Sequence, residues 1–226
     1  MAVPRSSPPP PDPYEALRSD IAEGRLLPNE RLVEHDLARR YGVSRGAVRM
    51  ALVRLEQDRV IVHEPNRGAR VRMVPESEAV EILETRAALE GIAAGHAATR
   101  ASDLQLQQLR QIGAEMAALY DAGDLLGMSA ANARLHALVL RASGHDTVRR
   151  LAAGLNSQMV RFQYRTILVA GRPSHSLAEH MEIVDSICGR DSGRAERAMR
   201  AHLSSVATAL HERVQTVGDE REGTAR

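Results

Sequence analysis

EHDLARRYGVSRGAVRMALVRLE, residues 34–56, is the stretch that decides the fold of the front of this chain. Val33, Leu37, Ala38 and Tyr41 fall at helical spacing, and Gly42 ends that helix. Ser44 is a natural N-cap for a second helix. Its inward face is Ala47, Val48, Ala51, Leu52 and Leu55. Between the two lies only the tight corner Gly42-Val43-Ser44. Upstream, Tyr14, Leu17 and Ile21 predict another helix, stopped by Gly24 and Pro28. Downstream, Val60–His63 and Ala69–Met73 are short β-branched runs joined through Pro65, Asn66 and Gly68, which predicts a β-hairpin. Three helices and a hairpin, with a tight corner before the third helix, make a winged helix-turn-helix over residues 14–74.

The exposed side of the third helix carries chemistry. Arg45 and Arg49 stand one turn apart, opposite Val48, Leu52 and Leu55, and Gly46 between them permits close approach to a surface. Such a pair at a helix start can reach phosphates and guanine edges in a major groove. Arg67 and Gly68 sit at the hairpin tip, where a wing touches DNA backbone or minor groove. A solvated face is the ordinary fate of helix arginines, but corner, cap and wing agree here on DNA contact. Residues 14–74 hold 12 Arg against 9 acids, and the rest of the chain from Pro75 holds 17 against 19. Positive charge is therefore concentrated at the front.

Behind Pro75 no strand signal remains. The expected helices run over 76–100, from Ser102 to about Ala122, over 125–142, from Asp146 to about Leu168, over 174–189 and from Ser192 to Val217. Together they predict an all-α antiparallel bundle of six or seven helices over residues 75–217. Residues 1–13, rich in Pro and Ser, read as disordered or extended, and 218–226 as a flexible tail. The fold class is mostly α.

Three histidines stand out in the bundle. Asn132 and His136 are i, i+4 and share a helix face. His180 and His202 lie eleven residues either side of Asp191, at the turn between the last two helices, so an antiparallel pair brings them level. Three imidazoles converging in a bundle suit Zn²⁺ or another divalent ion. A single histidine on an apolar helix face is usually a core residue, so spacing alone leaves metal ligation and core packing both open. Unperturbed imidazoles would lose a metal below roughly pH 6.5. Arg86 sits mid-helix in ILETRAALE. It forms either a salt bridge to a nearby acid or a grip on an effector carboxylate. Arg161 is a candidate of the same kind. His145 and His175 lie at helix boundaries as surface or capping residues, and His96 and His211 have no assigned partner.

The front segment resembles the GntR family DNA-binding domain over residues 14–73, on the G-V-S-R, V-R, A-L-x-R-L-E string and the N-R-G-A-R-V wing. The resemblance implies DNA contacts from Ser44, Arg45, Gly46, Arg49, Arg67, Gly68 and residue 35, where His35 stands in place of the usual Arg. Gly46-Ala47 replaces Thr-Pro and Met50 replaces Glu, so the operator need not match the family norm. Residues 76–215 resemble the FCD ligand-binding domain of the FadR subgroup. That resemblance implies a metal held by Asn132, His136, His180 and His202, and small organic acids as effectors. Asn132 replaces a frequent carboxylate, and Leu135 a frequent Phe.

Composition narrows the classes further. The chain has 1 Phe and no Trp, which argues against single-strand binding by aromatic stacking. The lone Cys188 precludes an intramolecular disulfide framework and fits a reducing cytoplasm. No apolar run approaches a membrane span, and the first residues lack the apolar core of a signal peptide. The expectation is a cytoplasmic homodimeric transcription repressor. It would bind double-stranded DNA at a near-palindromic operator, under control of a carboxylate effector beside zinc or nickel. An all-α metalloenzyme fused to a DNA-binding module is the alternative, and a metal-free domain whose histidines touch ligand is the third. Glu179 neighbours His180 but is turned about 100° from it, so no general base is evident.

Overall fold

Apolar residues one helical turn apart close each element of the front. The computed structural model describes residues 12–22, 24–64, 67–159 and 171–223, with side chains to residue 211. Helix α1, Pro13–Ala22, opens on a proline, the residue best suited to a first turn, and buries Tyr14, Leu17 and Ile21. Helix α2, Glu34–Tyr41, buries Leu37 and Ala38 and closes on Gly42 at φ +66°, a left-handed conformation that an L side chain resists. Helix α3, Arg45–Gln57, starts where Ser44 Oγ accepts the Ala47 N–H at 3.1 Å. Val48, Ala51, Leu52 and Leu55 form its buried face. Ala47, expected inward, is only partly buried.

The hairpin pairs β2, Ile61–Glu64, with β3, Gly68–Val71, antiparallel, with Ile61 opposite Val71. It is displaced by a residue from the expected runs, and Met73 is exposed rather than paired. A strand not anticipated from sequence, β1 (Arg31–Leu32), adds to the other edge of β3 and gives the order β1-β3-β2. Two residues are too few for an alternation to register. The proposed extended segment 1–13 lies outside the described residues up to residue 11, and Pro13 is already helical.

Val74 onward forms a second compact unit. Its spine is α4, Glu76–Arg100, whose buried stripe is mostly small residues: Ala79, Ala87, Gly91, Ala94, Ala97 and Ala98. A β-carbon at Gly91 would stand 2.7 Å from the Arg200 side chain, so glycine there lets the last helix approach closely. Around α4 pack α6 (Leu125–Ala142), α7 (Asp146–Gln158), α8 (Arg172–Cys188) and α9 (Ser192–Gly223), and α5 (Asp103–Asp121) packs outside on α6 and α8. Six helices are thus described. Helix α5 begins with a capping box formed by Ser102 and Gln105.

Three expected boundaries move. Helix α7 ends at Gln158 rather than near Leu168, and Arg161 lies outside the described residues. Helix α8 starts at Arg172, because Pro173 is tolerated in a first turn rather than excluded. Helix α9 continues to Gly223, past the expected end at Val217 and into the segment read as a flexible tail. Gly218 weakens a helix without ending it.

One buried acid ties α1 to α2. Asp20 accepts from Arg25 Nε at 2.7 Å, Tyr41 Oη at 2.6 Å and Arg40 Nη2 at 2.7 Å. Both arginines are half-exposed and can return to water, whereas the tyrosine hydroxyl cannot easily do so. Asp20→Ala should therefore destabilise the front unit by about 1–3 kcal/mol. Calorimetry of the full chain checks this, and an unchanged profile would refute it.

Candidate functional site: a recognition helix and a three-histidine centre

In the front unit the N-cap fixes α3 and exposes its arginines. Arg49 donates through Nε and Nη2 to the two carboxylate oxygens of Glu34, each at 2.9 Å, and Arg45 Nη2 lies 3.7 Å from the same carboxylate. Both arginine side chains are 65% exposed. The fork of hydrogen bonds from Arg49 holds the Glu34 carboxyl below its ordinary range. Glu34 was not singled out from sequence, because a first-turn acid on α2 reads as ordinary helix chemistry. His35 beside it and Met50 on α3 are both exposed. A β-carbon at Gly46 would meet only Ser44 Oγ, at 3.8 Å, so the space beside this glycine is open. At the hairpin, Gly68 has φ +80° and the Arg67 side chain is exposed, while Pro65 and Asn66 lie outside the described residues.

In the rear unit the equidistance of His180 and His202 from Asp191 places them level on α8 and α9, with ring centroids 4.2 Å apart. His136 on α6 approaches both, at 5.5 Å from His180 and 5.3 Å from His202. One ligand nitrogen of each lies within 4.8 Å of the other two. All three residues are buried.

What orients the rings comes from elsewhere in the chain. His136 Nδ1 donates to Glu90 Oε2 at 2.6 Å, and Glu90 Oε1 accepts from Arg86 Nε at 2.7 Å. His202 Nδ1 donates to Glu179 Oε2 at 2.8 Å, and the same oxygen accepts from Arg172 Nη2 at 2.9 Å. His180 Nδ1 donates to the Ser176 carbonyl. Every Nδ1 of the cluster is therefore committed, and the Nε2 lone pairs remain. His180 Nε2 and Asn132 Oδ1 are buried with no partner among the described residues. Carboxylates and carbonyls on the far nitrogen are the usual outer support of metal-bound imidazoles.

The charge states agree. Burial pushes His180 well below the ordinary histidine range, against the pull of the Ser176 carbonyl. Burial likewise lowers His202 to about 4, although Glu179 opposes it. Burial works to raise both carboxyls, yet Arg86 and His136 hold Glu90 far below its usual range, and bonds from His202, Arg172 and Ser205 hold Glu179 at about 2. His180 and His202 thus present neutral imidazoles, the form in which imidazole binds a metal, and the carboxylates of Glu90 and Glu179 behind the cluster are ionised.

A cavity of about 90 Å³ opens beside the cluster, lined among others by Arg86, Asn132, His136, Arg172, Ser176 and His202. Arg86 forms the salt bridge of the first sequence reading, with Glu90, and its side chain also lines the cavity. Arg161 lies outside the described residues. Sequence reasoning missed Glu90, Arg172 and the partner of Glu179, whose carboxylate reaches His202 on the neighbouring helix. His145 caps α7, accepting the Val148 N–H at 3.4 Å, with His96 edge-on against it at 5.5 Å, and His175 is exposed.

The comparisons with known proteins agree with this anatomy. Residues 13–71 match the family described as bacterial regulatory proteins, gntR family, and residues 81–205 match the FCD domain. The chain is 26% identical over 203 residues to the HTH-type transcriptional repressor RspR of Escherichia coli (strain K12), covering 88% of this chain and 87% of that protein. It is 30% identical over 190 residues to a probable D-xylose utilization operon transcriptional repressor of Paenarthrobacter nicotinovorans, covering 82% and 81%. The solved structure of E. coli McbR/YncC has the same fold, with a TM-score of 0.77 at 18% identity over 89% of this chain and 96% of that one. The metalloenzyme alternative is accordingly set aside, and Glu179 is in any case taken up by His202 and Arg172. No helix among the described residues is long and apolar enough to cross a membrane. The chain belongs to the GntR family of bacterial transcription regulators, with the family's DNA-binding domain in front and an FCD domain behind it.

Proposed function

We propose that this regulator is a cytoplasmic repressor whose hold on a near-palindromic operator is set by a small carboxylate effector, bound beside a divalent metal ion in the FCD domain. The reading is carried by one observation: three buried histidines have every Nδ1 committed to an acceptor, while His180 Nε2 has no partner among the described residues. His136, His180 and His202 would hold the ion through Nε2, with Asn132 Oδ1 as a weak fourth donor. Imidazole donors favour zinc or nickel over magnesium. The ion supplies a fixed positive charge to which an effector carboxylate can bind. Glu90 and Glu179 fix the ring orientations, and Arg86 presents its guanidinium to the carboxylate. The FadR-type arrangement gives a homodimer through the rear domain, with two heads on a two-fold symmetric site. Effector binding shifts the balance between arrangements of the heads.

At the DNA, Arg45 and Arg49 would enter the major groove, with Ser44, Gly46 and His35 at its edge and Arg67 and Gly68 on the backbone or minor groove. The Glu34 pair must open or pivot for Arg49 to reach a base. Arg49→Ala should weaken specific operator binding by about 1–3 kcal/mol, with circular dichroism unchanged. Wild-type affinity in both Arg45→Ala and Arg49→Ala would overturn the recognition-helix assignment.

Metal-stripped protein should take up one Zn²⁺ per chain at neutral pH and melt at a higher temperature when loaded. Asn132→Asp should tighten binding, and Glu179→Gln should weaken it by about 10–100-fold through loss of the brace on His202. Calorimetric titration after elemental analysis measures all three, and absence of stoichiometric uptake refutes the site.

Burial also revises the acid limit expected from unperturbed imidazoles. His202 titrates near 4 in the fold and near 6.5 when unfolded, so protons bind the unfolded chain preferentially between those values. Its contribution is fully present above pH 6.5 and is lost as pH falls toward 4, roughly 3 kcal/mol in all. Thermal unfolding of stripped protein between pH 7.5 and 4.5 should show that loss, and a flat profile would contradict it.

A further inference from the structure

We infer that the occupant of the cavity is a short-chain dicarboxylate, with one carboxylate beside the histidine cluster and the other on Arg172. The inference rests on the metal reading above and goes beyond it. It starts from a count of charges. Glu90 is spent on Arg86 and His136, and Glu179 on Arg172 and His202. The two arginines and two acids cancel, an imidazole that ligates a metal does so in its neutral form, and Asn132 contributes no charge. No Asp or Glu lines the cavity among the described residues. A divalent ion therefore brings two positive charges that no described residue of the wall offsets. Uncompensated charge in a buried site is costly, and a monocarboxylate offsets only half of it.

The second observation places the other anionic arm. Arg172 is 7% exposed and lines the cavity. Its Nη2 donates to Glu179, but its Nη1 is buried without an acceptor among the described residues. A guanidinium is a planar fork that matches a carboxylate, and a buried donor left open costs more than one that is satisfied. Arg172 and His202 share one oxygen of Glu179, so the guanidinium stands close behind the cluster. A cavity of about 90 Å³ limits the chain between the two carboxylates to a few carbons.

The test uses full-length protein and probes of equal chain length, succinate against butyrate. Stripped protein is first titrated with Zn²⁺, then the loaded protein with each acid by calorimetry, with zinc content checked afterwards. Succinate should bind about tenfold or more tighter than butyrate, about 1.4 kcal/mol. In Arg172→Gln protein that still takes up zinc, the preference should shrink to about threefold or less, and Arg172→Lys, which keeps the charge, should retain most of it. Asn132→Asp, which adds one negative charge, should also narrow the preference. Zinc uptake with succinate bound no better than butyrate overturns this inference alone. Absence of zinc uptake overturns the metal reading and this inference with it. The wild-type comparison decides the matter even if the Arg172 variants do not fold.

Discussion

A carboxylate enclosed by the middle of a helix bundle sets the character of the rear domain. Glu90 is 1% exposed, and an ionised group in that position is untenable without compensation. Arg86 one turn earlier and His136 on α6 provide it, at 2.7 and 2.6 Å. The consequence runs outward. Because the carboxylate accepts a hydrogen bond from Nδ1 of His136, Nε2 is the ring nitrogen left to serve as a ligand beside His180 and His202. Glu179 does the same for His202. The polarity of the cluster is thus decided by two acids that stand behind it, and their stable ionisation depends on two arginines that also face the cavity.

The same device appears at smaller scale in the front domain. Asp20 gathers Arg25, Arg40 and Tyr41, and Glu34 gathers Arg45 and Arg49. The chain has no lysine, so its permanent positive charges are all arginine, whose fork takes two oxygens where lysine offers a point charge. Burial separates the two cases. Asp20 is enclosed and ties α1 to the end of α2, whereas the Glu34 pairs lie at the surface, where such contacts are worth little and exchange readily for phosphate or base. One contributes architecture, and the other holds two arginines ready at the start of α3.

Small residues make the rear site possible. Gly91 and Gly95 on α4 let α9 approach closely, as the 2.7 Å clearance at Gly91 shows. That approach brings His202 level with His180, since α9 packs on both α4 and α8. The cluster is therefore a product of three interfaces, each closed by ordinary apolar packing of Leu83, Leu135, Ile183, Met199 and Leu203.

The sequence by itself determined whatever is written in local period. Ser44, Gly42 and the spacing of Val48, Ala51, Leu52 and Leu55 specify the corner and α3 without reference to the rest of the chain. The equal distance of His180 and His202 from Asp191 specifies their meeting, because an antiparallel turn converts sequence symmetry into spatial level. The family motifs supplied Asn132 and His136. What remained hidden has a common cause. Glu90 meets His136 across 46 residues and Glu179 meets His202 across 23, and each acid resembles an ordinary helix-surface residue when read along its own helix. Arg172 lies two residues before the expected start of its helix at 174, so its place in the first turn was not read from the sequence. Strand β1 was too short to carry an alternation, and its pairing with β3 joins residues 31 and 70. Which side chains share a carboxylate is settled only when separate helices pack, because the cost of burying that charge is paid by partners that no local pattern names.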